Sequence, residues 1–315
     1  TADRKPTPKL AQVKAVQAWI KFELAGVDAK ANTATVNIKN TYDFINTADH
    51  TLRYEIVKNG HIVASGKQAL PVIEVDGQAS VTIPLEGVVM KNAAKAGEEI
   101  MINLFASQDK ATVWSEPNHE VAQAQFELNA RPALAVIKVD KKAEKLAVED
   151  TEKTLKVGNK AIAAVFCKET GKMVSLKLNG LEIIHGQEGF VYDNYRFIEN
   201  DRSCKPGNGL DSIGTCEIVP SKGGAVIVKT TRGGQLASQV ITYTFLPNGI
   251  MDMDVTLTPQ AKELRRAGLV ASINPGLRKV NYWAYGPWEN YNDRKENCMV
   301  GRFETTVDDM VVYYQ

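Results

Sequence analysis

Apolar and polar positions alternate with a period of two along most of this chain, the mark of strands that bury one face. Residues 33–40 set Ala34, Val36 and Ile38 against polar neighbours. Residues 18–24, 52–58, 62–66, 79–84, 99–107 and 121–128 read as further short strands. Asn59-Gly60 between two of them predicts a two-residue hairpin turn, because both residues tolerate positive φ. About seven short strands in about 115 residues predict a β-sandwich, and the same pattern is compatible with a barrel. Residues 161–168, 173–184, 225–231, 237–245, 250–257, 269–275 and 280–285 continue as strands, with Asn179-Gly180 and residues 246–249 as turns. Residues 250–257 alternate cleanly, so one face of that strand is solvated or lines a groove. Helical periodicity is almost absent, and the fold class is all-β.

Two stretches break the pattern. Residues 1–16 are polar, carry Pro6 and Pro8, and read as a linker. Residues 131–147, rich in Ala, Lys, Val and Glu, read as a second linker that includes a strand. The expected organisation is a linker over 1–16, a β-sandwich over 17–130, a linker over 131–147 and a second β domain over 148–315.

Composition then narrows the function classes. The 315 residues carry 38 Lys and Arg against 37 Asp and Glu, a balance that gives no electrostatic footprint for nucleic acid or a membrane surface. No stretch approaches the roughly 18 apolar residues of a membrane helix, so the chain reads as soluble, with cytoplasm and periplasm both open. The chain opens on Thr1 without an apolar leader and reads as a processed or excised piece. Cys167, Cys204, Cys216 and Cys298 lack metal-ligand spacing. Cys204 and Cys216 lie across a Gly-rich loop, where free thiols and a disulfide are both open readings.

The densest chemistry lies in residues 282–294, where aromatics, a Gly-Pro turn, acids and an arginine fall together. Such a run forms a charge-assisted corner around a turn, or a polar and aromatic surface that meets a sugar or another domain. Gly286, Pro287, Glu289, Tyr291, Asp293 and Arg294 spell Gly-Pro-x-Glu-x-Tyr-x-Asp-Arg. This resembles the C-terminal domain of large β-galactosidases of the glycoside hydrolase 2 type. Ala284 stands where that family often has glycine. Residues 38–44 and 114–119 resemble the immunoglobulin-like domain that follows the family's catalytic barrel. Residues 166–176 resemble the opening hairpin of its antiparallel supersandwich, itself similar to galactose mutarotase, with Met173 where leucine is commoner.

The resemblance implies an immunoglobulin-like β-sandwich followed by part of the supersandwich. It further implies that a jelly roll, another immunoglobulin-like domain and a TIM barrel precede this region, and that more of the supersandwich follows it. The family's catalytic glutamates belong to that barrel, so no catalytic residue is assigned here. Cofactors are none in this chain, since the family's divalent and monovalent cations are held by other domains. The implied partners are the rest of the parent chain, carbohydrate, and a second copy in a homo-oligomer. Arg196, Glu199, Asn200 and Asp201 resemble a family run whose following loop lies toward the active-site mouth, although the family proline is absent and the spacing is one residue shorter. The plain alternative for that loop is an Asx-rich surface turn.

Other chemistry is thin. Neither a phosphate loop nor a Ser/His/Asp order stands out. Asp252 and Asp254 share a strand face and form an unspecific cation candidate. Trp114 reads as a core plug with a bonded indole N–H, His119 as a structural histidine, and His50 and His61 as surface turn residues. The expected function is the non-catalytic C-terminal region of a retaining β-galactosidase. A stand-alone carbohydrate-binding module is the alternative, on the aromatic run 282–291. A mutarotase-like enzyme fits poorly, because His185 is the only histidine of the second domain.

Overall fold

Alternation translates directly into layers. Ala34, Val36 and Ile38 are fully buried, and their strand pairs on both sides to build one wall of a sandwich. The structure is a computed structural model that describes residues 6–93, 97–131, 140, 142–194, 210–260 and 266–310. It divides into two units: the described residues within 6–131 together with 278–310, and those within 140–277.

The first unit opens with helix α1 (Pro8–Val16). Its strands are β1 (Ile20–Asp28), β2 (Thr33–Asn40), β3 (His50–Lys58), β4 (His61–Ala69), β5 (Gln78–Pro84), β6 (Ile100–Gln108) and β7 (His119–Glu127). They form two antiparallel sheets, ordered β1-β2-β5 and β4-β3-β6-β7. Ile20, Val36 and Ile83 of one sheet and Leu52, Ile102 and Leu104 of the other share a single apolar core. Asn59 and Gly60 both take positive φ, 50° and 78°, so β3 reverses into β4 where the sequence places the turn.

The second unit contains β8 (Ala147–Asp150), β9 (Thr154–Gly158), β10 (Ile162–Cys167), β11 (Lys172–Leu178), β12 (Leu181–Glu182), β13 (Val191–Asp193), β14 (Leu210–Val219), β15 (Val226–Gly234), β16 (Ala237–Leu246), β17 (Ile250–Pro259) and β18 (Gly268–Val270). A five-stranded sheet, β12-β11-β10-β9-β8, and a four-stranded sheet, β14-β15-β16-β17, both contribute to its core, and β13 pairs with β18. The centre of that core is aromatic: Phe166 lies 5.1 Å from Tyr243 and 6.1 Å from Phe245 between ring centroids. Asn179-Gly180 again forms the positive-φ turn. Strands β19 (Lys279–Gly286) and β20 (Met299–Thr306) then pair as a hairpin grouped with the first unit.

Three local readings are corrected. The stretch read as a linker carries α1, which has Pro at its start and no side-chain cap. Such a helix depends on tertiary packing rather than on end signals, and α1 lies beside β7. Trp114 is not a core plug but 63% exposed. Its loop closes on itself, Thr112 N–H donating to Ser115 O at 2.9 Å, and leaves the indole outside, edge-on to His119. His50 is not a surface residue but 2% exposed. It starts β3 opposite Gln108, and the Tyr42 ring lies 5.8 Å from its own.

Candidate functional site

The Gly-Pro motif sits in the loop between β19 and β20, and its residues do come together. Gly286-Pro287 is a cis peptide. Tyr291 and Arg294 exchange both backbone hydrogen bonds at 3.0 Å, which closes the loop tip. The Arg294 guanidinium pairs with the Glu289 carboxylate and stands 4.9 Å from the Tyr291 ring centre. The arginine side chain is only 13% exposed, so the charge-assisted corner expected from the sequence is formed by Glu289, Tyr291 and Arg294. Asp293 is exposed beside it. Gly286 is required for packing: a Cβ there would lie 2.8 Å from the Phe303 ring, closer than atoms approach without displacement.

This loop and hairpin are fastened to the first sandwich by side chains reaching main chain. The Gln125 amide of β7 both donates to Val300 O and accepts from Val300 N–H, each at 2.8 Å, and so stands in for one residue of a neighbouring strand. Its nitrogen also donates to Asn103 Oδ1 at 2.8 Å, and Asn103 donates to Glu55 at 3.1 Å. Arg302 donates to the carbonyl of Asn59 in the β3–β4 turn at 3.0 Å. At the other end Asn297 N–H donates to Gln12 of α1 at 3.2 Å, and the Asn297 amide to Pro8 O at 3.3 Å. Gln12 in turn hydrogen-bonds Glu296, which holds the Glu296 carboxyl below the usual carboxylate range.

The exposed side of the hairpin carries aromatic surface. Trp283, Tyr285, Trp288 and Tyr291 are 42%, 44%, 41% and 57% exposed. Arg302 stacks near the Trp283 ring, 4.9 Å to its centre. Burial pushes the Cys298 thiol up; its sulfur lies 3.3 Å from Trp288 O.

Local sequence reading missed Glu55, Asn103, Gln125 and Asn297. Each is an ordinary polar residue in a strand or loop, and only partners far along the chain give it a role. The one available signal was Asn103, a polar residue in an otherwise apolar run, which the structure leaves 8% exposed.

The candidate mouth residues Arg196, Glu199, Asn200 and Asp201 lie outside the described residues, as does Cys204. Cys216 is a free, buried thiol, pushed up to about 12 by that burial. Asp252 and Asp254 are exposed on one face of β17. Among the described residues no group of three or more His, Cys, Asp or Glu is placed to hold a metal. No helix among them is long and apolar enough to cross a membrane.

Two family models match: "Beta-galactosidase, domain 4" over residues 36–129 and "Beta galactosidase small chain" over residues 158–315. The chain is also similar to proteins named β-galactosidase from Priestia megaterium, at 26% identity, Pseudoalteromonas haloplanktis, at 24%, and Photobacterium profundum, at 27%. In each case 99% of this chain aligns with 30–32% of the relative's length. This chain, all-β and about a third as long as those relatives, belongs to the β-galactosidase family.

Proposed function

We propose that this chain is the non-catalytic region of a β-galactosidase that follows the catalytic barrel. The parent hydrolyses terminal β-D-galactosides with retention. Two barrel carboxylates act as acid/base and nucleophile, the arrangement that a retaining mechanism needs. This region braces the barrel. The loop around Arg196, Glu199, Asn200 and Asp201 shapes the site mouth, and Gly286, Pro287, Glu289, Tyr291, Asp293 and Arg294 form a contact between domains. A first module over 17–130 and a second over 148–315 carry out this work, with the rest of the parent chain and a second copy as partners.

The observation that supports the reading most is the alignment of nearly the whole chain with under a third of the Priestia megaterium enzyme's length. The seating of the motif hairpin by Gln125 and Asn297 agrees with a bracing part. Turnover of a chromogenic β-galactoside by the purified chain tests it. The expected rate equals the buffer blank, and turnover well above blank overturns the reading.

A second reading, a stand-alone carbohydrate-binding module, draws on the half-exposed Trp283, Tyr285, Trp288 and Tyr291, since aromatic faces stack on sugar rings. Loss of saccharide binding on replacing Trp283 and Tyr285 together with alanine would favour it.

A further inference from the structure

The hairpin does not close flat on the sheet beneath it. Between them lies a cavity of about 300 Å³, at the lower end of the roughly 300–1,000 Å³ typical of small-molecule sites. Its sheet side carries Glu55 of β3, Asn103 of β6 and Gln123 of β7. Phe105, Trp288 and Phe303 supply aromatic walls from the sheet and from the hairpin. The cavity thus exists only while the hairpin is seated.

We propose that this cavity binds a single neutral sugar ring of pyranose size, at a place that shares Trp288 with the exposed aromatic row but lies away from Tyr285 and Tyr291. Three features select that chemistry. The first is the pairing of aromatic walls with a polar floor. A pyranose has an apolar C–H face that packs on an aromatic ring and a rim of hydroxyls that need hydrogen-bond partners.

The second is charge. Glu55 already pairs with Arg53, and the Arg53 guanidinium lies 3.7 Å from the Phe105 ring centre. With its carboxylate compensated by Arg53, the floor has no net charge left to recruit a cation, and the Arg302 side chain that also lines the cavity is engaged by the Asn59 carbonyl and the Trp283 ring. The floor keeps strong acceptor capacity for hydroxyl donors, because a carboxylate offers more lone pairs than Arg53 and Asn103 occupy.

The third is pre-organisation. Asn103 is held from both sides, donating to Glu55 at 3.1 Å and accepting from Gln125 at 2.8 Å. Phe303 is fixed against the backbone of Gly286 and Gly301, where a Cβ would come within 2.8 and 3.1 Å of its ring. Polar groups and ring faces locked in place lose little entropy when a ligand arrives. Because the ligand would touch both the sheet and the hairpin, binding also stabilises the seated hairpin by linkage.

Calorimetric titration of the whole 315-residue chain with D-galactose and D-glucose, and with inorganic sulfate as the anion control, tests this. The expected result is saturable binding of at least one sugar in the millimolar range and none of sulfate. Glu55→Gln should weaken it about tenfold, the effect of losing one charge-assisted hydrogen bond, while Trp283→Phe leaves it unchanged. Unfolding midpoints of both variants confirm that they fold. If Glu55→Gln is itself unfolded, Phe303→Leu serves as the cavity variant, with the same expected loss. The proposal is overturned if neither sugar binds saturably, if sulfate binds as tightly, if binding survives the cavity variant, or if Trp283→Phe abolishes it. The last outcome would place the sugar on the exposed row. None of these outcomes depends on whether the chain hydrolyses a galactoside.

Discussion

Strands β6 and β17 share one period and have opposite fates. Residues 100–106 of β6 are all buried, on both faces. Ile100, Ile102, Leu104 and Ala106 point into the sandwich core. Met101, Asn103 and Phe105 point the other way, and Asn103 and Phe105 face the β19–β20 hairpin and its loop. In β17, Met251, Met253 and Val255 pack on the core while Asp252, Asp254 and Thr256 face out, exposed. The difference is what lies over the outer face: the β19–β20 hairpin covers that of β6, whereas that of β17, the last strand of its sheet among the described residues, is exposed. Exposed aspartates on an edge strand keep another chain from adding to it. An outward asparagine on a covered strand instead becomes the centre of a hydrogen-bonded network.

The contrast can be broken most severely from the inner face of β6. Ile102 is fully buried, so Ile102→Ala should cost about 2–5 kcal/mol through lost transfer energy and a cavity; denaturant unfolding of the chain measures it. The outer face should respond less and more locally. Gln125→Ala strips partners from the Val300 backbone and from Asn103, and each buried group left unpaired costs about 1–3 kcal/mol. Hydrogen exchange should then rise across residues 299–306 while β2 stays protected. Equal protection of residues 299–306 in Gln125→Ala and in the unaltered chain would mean that the hairpin is held by its apolar contacts alone.

Acid should act on the first sandwich through His50. Burial, outweighing the nearby carboxylates of Asp109 and Asp49, holds its imidazole below the ordinary value of 6.5. The unfolded chain then takes up the proton more readily than the folded one. The residue costs nothing well above pH 6.5, and stability falls progressively as pH drops below that value. Chemical denaturation between neutral and mildly acidic pH should show this loss, reduced in His50→Gln. The smallest effect is expected at β17, where Asp254→Ala should change stability by no more than about 0.5 kcal/mol. A larger change would mean that this face is covered as the outer face of β6 is.

Much of the fold was legible locally. The period of two in β2, β16 and β17 fixes which residues face inward, and Asn59-Gly60 and Asn179-Gly180 fix two reversals, because these are interactions within a few residues. The all-β class follows from them. Helix α1 was not legible, since it has neither cap nor acidic first turn; packing beside β7 supplies what its sequence lacks. Trp114 and His50 were misjudged for one reason. Whether a side chain near a turn is covered depends on what folds over it, and Tyr42 covers His50 while nothing covers the Trp114 indole to a similar degree.

The candidate site divides along the same line. Glu289, Tyr291 and Arg294 lie within six residues, so composition alone announced a charged corner around the Gly-Pro turn, and it formed. The partners that fasten this corner are far away in the chain: Gln125 and Val300 are separated by 175 residues, Asn297 and Pro8 by 289. No local pattern specifies such pairs, because hydrogen bonds to a backbone carry no residue identity on the accepting side. The sequence by itself determined the strands, two positive-φ turns and the corner at Arg294, all short-range consequences of periodicity and side-chain chemistry. Only the tertiary structure decided that the last hairpin lies on the first sandwich, which turns Asn103 and Glu55 from surface residues into the floor of a cavity.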